Sequence, residues 1–96
     1  MAKSRNIRYR KLIEMGCIAC RNQHGCITMP EIHHVRYLAG MGQRAPDTAT
    51  LPLCPRHHRI GGYKMSLHCG QKAWEEIFGT EKVLLDQVNK ILEELS

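Results

Sequence analysis

The alternation of apolar and polar positions is clearest toward the C-terminal end of the chain. Over residues 80–95 one helical face carries the apolar residues Leu84, Val88, Ile91, Leu92 and Leu95. Thr80 is suited to cap this helix, and a shorter helix is expected before it, over residues 71–78, ending at Gly79. Such a stripe favours core packing over partner binding, so the pattern predicts an amphipathic C-terminal helix on the core.

The N-terminal part of the chain predicts a helix and a compact turn. Residues 1–6 are largely polar and are expected to form a disordered tail. Residues 8–15 favour a short helix that Gly16 would end. Residues 17–26 are expected to form a turn-rich knuckle that a metal organises.

The middle of the chain predicts two extended segments and a helix. β-branched and apolar residues over 28–36 favour a strand, which Pro30 confines to a sheet edge or a strand start. Residues 51–53 form a short extended segment. A helix is expected to begin near Pro55 and to end at Gly61.

Charge is divided unevenly along the chain, whose 96 residues predict a single domain, 1–96. Residues 1–72 contain twelve Lys and Arg against three acids, whereas residues 73–96 contain two Lys against six acids. A basic body with an acidic end fits a polyanion-binding surface joined to a solvated helix.

The composition also indicates the cellular compartment of the protein. No stretch reaches the roughly 20 apolar residues that cross a bilayer, and the N-terminal segment lacks the apolar core of a secretory signal. We therefore expect a cytoplasmic protein without a membrane partner, in which thiols stay reduced. Five cysteines, an odd number, then indicate metal ligands before disulfides.

Two pairs of residues have the spacing of zinc ligands. Two residues separate Cys17 from Cys20, and two separate Cys54 from His57. Each pair can straddle a tight turn, so that four side chains converge in the tetrahedral arrangement of a structural Zn²⁺ site. We prefer these four ligands because they tie two distant parts of the chain together.

Other assignments of the thiols remain open. His24 and Cys26 lie close enough to Cys20 to compete as ligands, and Cys26 and Cys69 are otherwise spare thiols. A thiol-redox protein that uses Cys17 and Cys20 would need a βαβ context, which the pattern does not predict.

Four of the six histidines stand in two adjacent pairs, His33-His34 and His57-His58. Neighbours on a strand point to opposite sides, so one imidazole can ligate an ion while the next deprotonates the attacking water. His58 could then face His33 across a catalytic ion. The pair His33-His34 can equally be surface histidines, His58 can replace His57 on the zinc, and His68 has no geometry fixed by the sequence.

The order of these motifs carries a family resemblance. Cys17-x2-Cys20, Glu31-Ile-His-His34 and Leu53-Cys54-x2-His57-His58 together resemble the HNH (ββα-metal, His-Me finger) endonucleases. Among these, the chain is most similar to the Ref family of phage and prophage RecA-dependent nucleases. The segments that carry this narrower similarity are Gly40-Met-Gly-Gln-Arg-Ala-Pro-Asp47, Leu51-Pro-Leu-Cys54, Leu67-His68 and Trp74-Glu-Glu-Ile-Phe-Gly79.

The resemblance, which covers roughly residues 15–80, implies an α+β fold. A small ββα-metal core with a zinc knuckle would be flanked by an N-terminal helix and C-terminal helices. His34 would be the general base, and His33 and His58 would hold the catalytic metal, with His68 as a further candidate ligand. That metal would be Mg²⁺, Mn²⁺ or Zn²⁺, since imidazoles accept several ions. The ligands of the structural zinc would be Cys17, Cys20, Cys54 and His57.

The activity implied is hydrolysis of DNA phosphodiester bonds, dependent on a RecA filament, in phage or prophage recombination. Basic residues near the motifs are candidates for phosphate contacts, which carry little sequence information. They are Arg36, Arg44, Arg56, Arg59 and Lys64, and Arg8, Arg10 and Lys11 could extend the surface. The sequence is silent on oligomeric state.

One departure from the HNH pattern supports a rival function. The middle Asn, which usually orients the general base, should fall near residues 48–50, where this chain has Thr, Ala and Thr. A backbone carbonyl, Thr50 or Asp47 could replace it. Without a replacement, the chain would be a non-catalytic zinc-knuckle protein that binds DNA as an adaptor.

Overall fold

The computed structural model describes the backbone of residues 2–38 and 46–94, and side chains from residue 7 onward within those ranges. These residues form an α+β fold, as predicted, with helices around a two-stranded antiparallel sheet. The elements in chain order are α1 (Ala2–Met15), α2 (Ile18–His24), β1 (Glu31–His34), β2 (Thr50–Leu53), a π-helix (Arg56–Ile60), a 3-10 helix (Leu67–Cys69), α3 (Gln71–Phe78) and α4 (Glu81–Glu94). Within the described part of the chain, no helix is long and apolar enough to cross a membrane.

Helix α1 delivers the first cysteine to the interior. It begins at Ala2, six residues before the predicted start at Arg8, so the backbone of residues 2–6 is helical where a tail was expected. It ends as predicted at Gly16, which has a φ of +76°. A Cβ at Gly16 would lie 3.0 Å from backbone atoms of Thr28, so only glycine allows both this turn and this close approach. Cys17, the next residue, is fully buried.

The segment after Cys17 is helical, which corrects the prediction of a turn-rich knuckle. Helix α2 occupies Ile18–His24 and ends at Gly25 in the left-handed conformation. Cys17 caps it, because its sulfur accepts the backbone N–H of Cys20 at 3.4 Å. Seven residues, of which only the first turn is buried, are too few to show helical periodicity in a sequence.

The two strands place the adjacent histidines on opposite faces. In the antiparallel register His33 lies opposite Leu51 and His34 opposite Thr50. Strand β1 begins just after Pro30, as the position of that proline predicted. His33 turns inward and is 3% exposed, whereas His34 lies on the other face and remains partly accessible.

The helix predicted near Pro55 is a short π-helix. It covers Arg56–Ile60, directly after Pro55, and Gly61 follows it. π-helical turns occur mostly as single turns and often at functional sites. This one carries His57, which is buried, and His58, which is partly buried.

The C-terminal helices match the predicted pattern closely. Helix α3 occupies the predicted residues, and the Thr80 side chain caps α4 by accepting the N–H of Val83 at 3.2 Å. On the apolar face Leu84, Val88 and Leu92 are buried, and Ile91 packs against them. Leu95, predicted on the same face, lies outside the described residues.

Arg8 joins α1 to the sheet and to α4. Its guanidinium donates to the hydroxyl and the carbonyl of Thr50, each at 2.8 Å, and to Asn89 Oδ1 at 3.0 Å. Burial lowers the pKa of Arg8 from its ordinary value. The sequence indicated that Arg8 could extend the phosphate-contacting surface. In the structure its guanidinium joins α1, the sheet and α4 by hydrogen bonds.

The cap of α4 gives the first prediction. Replacing Thr80 by Ala removes the acceptor for the N–H of Val83, which typically costs about 1 kcal/mol. For a domain of this size the thermal midpoint should fall by roughly 4–8 °C, measured by circular dichroism. Thr48→Ala, at an exposed threonine in a turn, is the matched control and should leave the midpoint nearly unchanged. Equal midpoints for Thr80→Ala and wild type would show that the cap adds no stability.

Candidate functional site

Two groups of potential metal ligands meet at the π-helix, which contributes one histidine to each. One contains Cys17, Cys20, Cys54 and His57, all buried, and is called here the Cys3His cluster. The other contains His33, His58 and His68 and is called the three-histidine cluster. Within each group the potential ligand atoms lie within 4.8 Å of one another. The consecutive residues His57 and His58 thus serve different groups.

The Cys3His cluster has the spacing of a tetrahedral metal site. The sulfurs of Cys20 and Cys54 are 3.7 Å apart. His57 Nδ1 lies 3.6 Å from the sulfur of Cys17, 3.4 Å from that of Cys20 and 3.2 Å from that of Cys54. Zinc bonds at a tetrahedral angle would separate two sulfurs by about 3.8 Å and a sulfur from a nitrogen by about 3.6 Å. The donor set and its spacing therefore fit a metal such as zinc.

The pKa shifts of the residues in this cluster also fit a bound cation. Burial raises the pKa of Cys17 to about 12, and burial raises that of Cys20 as well. Burial raises the pKa of Cys54 too, but backbone hydrogen bonds, first that from His57, leave it below its ordinary value. Burial lowers the pKa of His57, which keeps the imidazole neutral. Buried thiols become thiolate ligands when a cation balances their charge.

The three-histidine cluster brings together residues from the sheet, the π-helix and the 3-10 helix. His33 Nδ1 and His58 Nε2 face each other at 3.3 Å, and His68 Nε2 lies 2.9 Å from the same atom of His58. Two imidazole nitrogens bound to one ion at about 2.0–2.1 Å lie about 3.3 Å apart at a tetrahedral angle. The pair His33 and His58 therefore has the separation that a shared ion requires.

Two carboxylates hold the far sides of these imidazoles. His33 Nε2–H donates to Glu81 at 2.6 Å, and His58 Nδ1–H donates to Glu31 at 2.8 Å. A carboxylate only accepts, so each bond fixes the proton on that nitrogen and leaves a lone pair on the nitrogen that faces the partner histidine. Carboxylates in this position are the usual outer partners of metal-binding histidines.

Sequence reasoning did not assign either carboxylate a role. Glu31 stands two residues before His33, and a strand places residues at this spacing on the same face, which is the signal that could have found it. Glu81 is 48 residues from its partner, and no local pattern links the two.

The protonation state of the cluster suits metal binding. Burial lowers the pKa of His58, and the neighbouring His33 adds to the effect while Glu31 opposes it. Burial, with the charges of His58 and Arg36, lowers the pKa of His68 to about 4. Both imidazoles are therefore neutral near pH 7, the form that ligates metals.

His68 differs from the other two histidines in its outer partner. Its Nδ1 accepts a hydrogen bond from the guanidinium of Arg36, which also donates to Gln71 at 3.2 Å. Because arginine only donates, the proton of neutral His68 lies on Nε2, the atom that faces His58. Ligation through that nitrogen would require the contact with Arg36 to break, so His33 and His58 form the prepared pair.

His34, next to the cluster in sequence, has a carboxylate partner of its own. Its Nε2–H donates to Asp47 Oδ1 at 2.8 Å, and the hydroxyl of Tyr9 donates to the same oxygen at 3.2 Å. Thr50 donates instead to the backbone carbonyl of Asp47 at 2.9 Å. Asp47, one of the residues considered as replacements for the missing Asn, forms a side-chain hydrogen bond with His34.

The basic residues named from the sequence lie in different settings. Arg36, Arg56 and Lys64 are exposed. Arg59 is exposed as well, but it pairs with Glu31 at 2.6 Å. Arg44 lies outside the described residues. Arg36 contacts His68 of the three-histidine cluster, whereas Arg56 and Lys64 line a cavity together with His24 and His57.

The three residues to which the sequence assigned no definite role lie outside both clusters. Cys26 and Cys69 are exposed free thiols, and His24 is exposed at the end of α2. The assignment of Cys54 and His57, rather than His24 or Cys26, to the thiol cluster agrees with this geometry.

Comparison with known protein families matches residues 2–93, nearly the whole chain, to the family described as recombination enhancement, RecA-dependent nuclease. Neither a curated protein sequence nor a solved structure gives a significant match. The match agrees with the resemblance drawn from the Cys and His motifs and extends beyond them into α1 and α4. The chain belongs to the family of RecA-dependent nucleases of recombination enhancement.

Proposed function

We propose that this chain is a metal-dependent DNA endonuclease of the HNH type, which hydrolyses phosphodiester bonds with His34 as general base. The observation that carries the proposal is the prepared pair His33 and His58, each held from behind by a carboxylate. The lone pairs of His33 Nδ1 and His58 Nε2 face each other at 3.3 Å, an arrangement that a shared metal ion would stabilise. The family match supports a nuclease in recombination.

In this proposal the Cys3His cluster holds a structural Zn²⁺. It joins the start of α2 to the π-helix, and so fixes His58 one residue after His57. Burial of four ligands leaves no position open to substrate, which is typical of structural rather than catalytic sites.

His33 and His58 would hold a second divalent ion, and His68 would join them if its contact with Arg36 breaks. Such an ion, when bound, stabilises the charge that develops on the phosphate and on the leaving oxygen. Imidazoles accept Mg²⁺ poorly compared with Mn²⁺ or Zn²⁺, but all three ions remain candidates for the proposed activity.

His34 has the arrangement that a general base needs. Its Nε2–H is held by Asp47, which leaves the Nδ1 lone pair to take a proton from the attacking water. Asp47 also stabilises the imidazolium that forms when that proton arrives. Asp47 thus takes the orienting role that Asn has in the HNH pattern.

The DNA-binding surface would consist of the exposed cations near the two clusters. Arg56 and Lys64 are exposed, Arg36 is exposed but hydrogen-bonded to His68 and Gln71, and Arg59 is paired with Glu31. Phosphate contacts of this kind give affinity with little sequence preference. Targeting would then come from a RecA filament on DNA, the dependence that the family description names.

The zinc proposal predicts that metal removal unfolds the protein. Structural zinc contributes about 10–16 kcal/mol in small metal-dependent domains, as much as the whole stability of a typical domain. Chelation, or Cys54→Ser, should therefore abolish the cooperative thermal transition in circular dichroism and remove one zinc per chain. Cys26→Ser, at an exposed thiol, is the matched control and should retain both. A cooperative fold that survives complete zinc removal would refute the structural role.

The nuclease proposal predicts that His34→Ala abolishes DNA cleavage without loss of fold. Loss of a general base costs roughly 10²–10⁴-fold in rate. Cleavage of single-stranded and supercoiled DNA should be measured with Mg²⁺ or Mn²⁺, with and without RecA and ATP. His24→Ala, at an exposed histidine on α2, is the control and should cut like wild type. If wild type binds DNA but cuts under none of these conditions, the non-catalytic adaptor replaces the nuclease.

Asp47 gives a separate prediction about the orientation of the base. Asp47→Ala should lower kcat with little change in KM, because the imidazole of His34 loses its orientation while the DNA contacts stay. Asp86→Ala removes an exposed carboxylate on α4 and serves as control. An unchanged kcat for Asp47→Ala would mean that another group orients His34.

A further inference from the structure

Glu81 is a buried carboxylate with an unusual set of partners. It lies at the first residue of α4 and is only 1% exposed. Its oxygens accept three N–H donors, from the His33 ring at 2.6 Å and from the backbones of Arg36 at 2.8 Å and Tyr37 at 3.3 Å. Burying an ionised carboxylate is costly unless hydrogen bonds or an opposite charge compensate it.

The surroundings of Glu81 match a carboxylate, because its oxygens only accept and three N–H groups donate to them. Burial raises its pKa, but the bonds from His33 and from the Arg36 backbone outweigh burial and leave the pKa below its ordinary value. Within the described part of the chain, no lysine or arginine side chain forms an ion pair with it. A negative charge is therefore placed behind His33 without a basic side chain to balance it.

The other carboxylate of the site is balanced differently. Glu31 bonds His58 but also forms an ion pair with Arg59 at 2.6 Å. Hydrogen bonds from Arg59 and then His58 lower the pKa of Glu31 to about 2. Because Arg59 pairs with Glu31, Glu81 is the one of these two carboxylates that has no lysine or arginine partner among the described residues.

We propose that Glu81 is a positioning residue of the metal centre, which holds His33 with Nδ1 toward His58 and balances the charge of a bound divalent ion. This inference rests on the proposed function. It gives a role in the site to α4, which follows the two strands and the π-helix in the chain. A simpler role is available, since a carboxylate at a helix N-terminus stabilises the helix. The two roles differ in what they do to metal affinity.

The test is a titration of the zinc-loaded full chain with Co²⁺, followed by its visible absorption and by calorimetry. Glu81→Gln keeps the side-chain size and an acceptor oxygen but removes the charge. It should weaken Co²⁺ binding at the three-histidine cluster by roughly 10–100-fold, the usual cost of losing an outer partner of a metal ligand. Glu76→Gln removes an exposed acid on α3 and should bind Co²⁺ like wild type.

A second measurement needs no variant. The ¹⁵N spectrum of the wild-type histidine rings, with zinc in the Cys3His cluster and no second metal added, reports which nitrogen of His33 carries the proton. The inference requires Nε2–H, donated to Glu81. A proton on Nδ1 would overturn it, even if Glu81→Gln failed to fold.

The outcomes separate this inference from the proposed function. Weaker Co²⁺ binding by Glu81→Gln at unchanged zinc content supports the positioning role, whether or not wild type cuts DNA. If Glu81→Gln binds Co²⁺ as tightly as wild type and differs only by a lower thermal midpoint, Glu81 merely stabilises α4. That result overturns the inference. No Co²⁺ binding by wild type overturns both this role and the second metal of the proposed nuclease.

Discussion

We propose that the fold depends on the meeting of three buried sulfurs with the Nδ1 atom of His57. These four residues come from the turn before α2, from α2 itself, from the end of β2 and from the π-helix. Buried thiols become thiolate ligands when a cation balances their charge, and burial, together with the charges of Cys54 and Cys20, raises the pKa of Cys17 to about 12. A domain of this size has a small core, so cross-linking of distant segments by a metal matters more than in a larger protein.

The same contact also sets the position of the second cluster. Since His58 follows His57, fixing one imidazole in the Cys3His cluster leaves the next free to turn toward His33. Glu31 and Glu81 then hold the two rings from behind. The π-helix therefore links a buried thiol cluster to a pair of imidazoles, and a carboxylate bonds to each of the two rings.

The sequence predicted which residues lie together better than it predicted the elements that carry them. The spacing of Cys17, Cys20, Cys54 and His57 indicated a tetrahedral site, because metal ligands leave a pattern that does not depend on the fold. Helix α2 was missed because it is short and mostly exposed. Glu81 was missed because its partner His33 lies far away in sequence, and long-range pairing leaves no local signal. The amphipathic stripe of α4 was predicted, but not that its first residue reaches the site.

The most direct test of a separate metal centre at His33 and His58 is DNA cleavage by His58→Ala, compared with wild type at equal zinc content. The account predicts that His58→Ala keeps one zinc per chain and its fold, since His57 remains in place, but loses RecA-dependent cleavage. Cleavage by His58→Ala at the wild-type rate would contradict the account, because the nuclease would then work without the paired imidazoles.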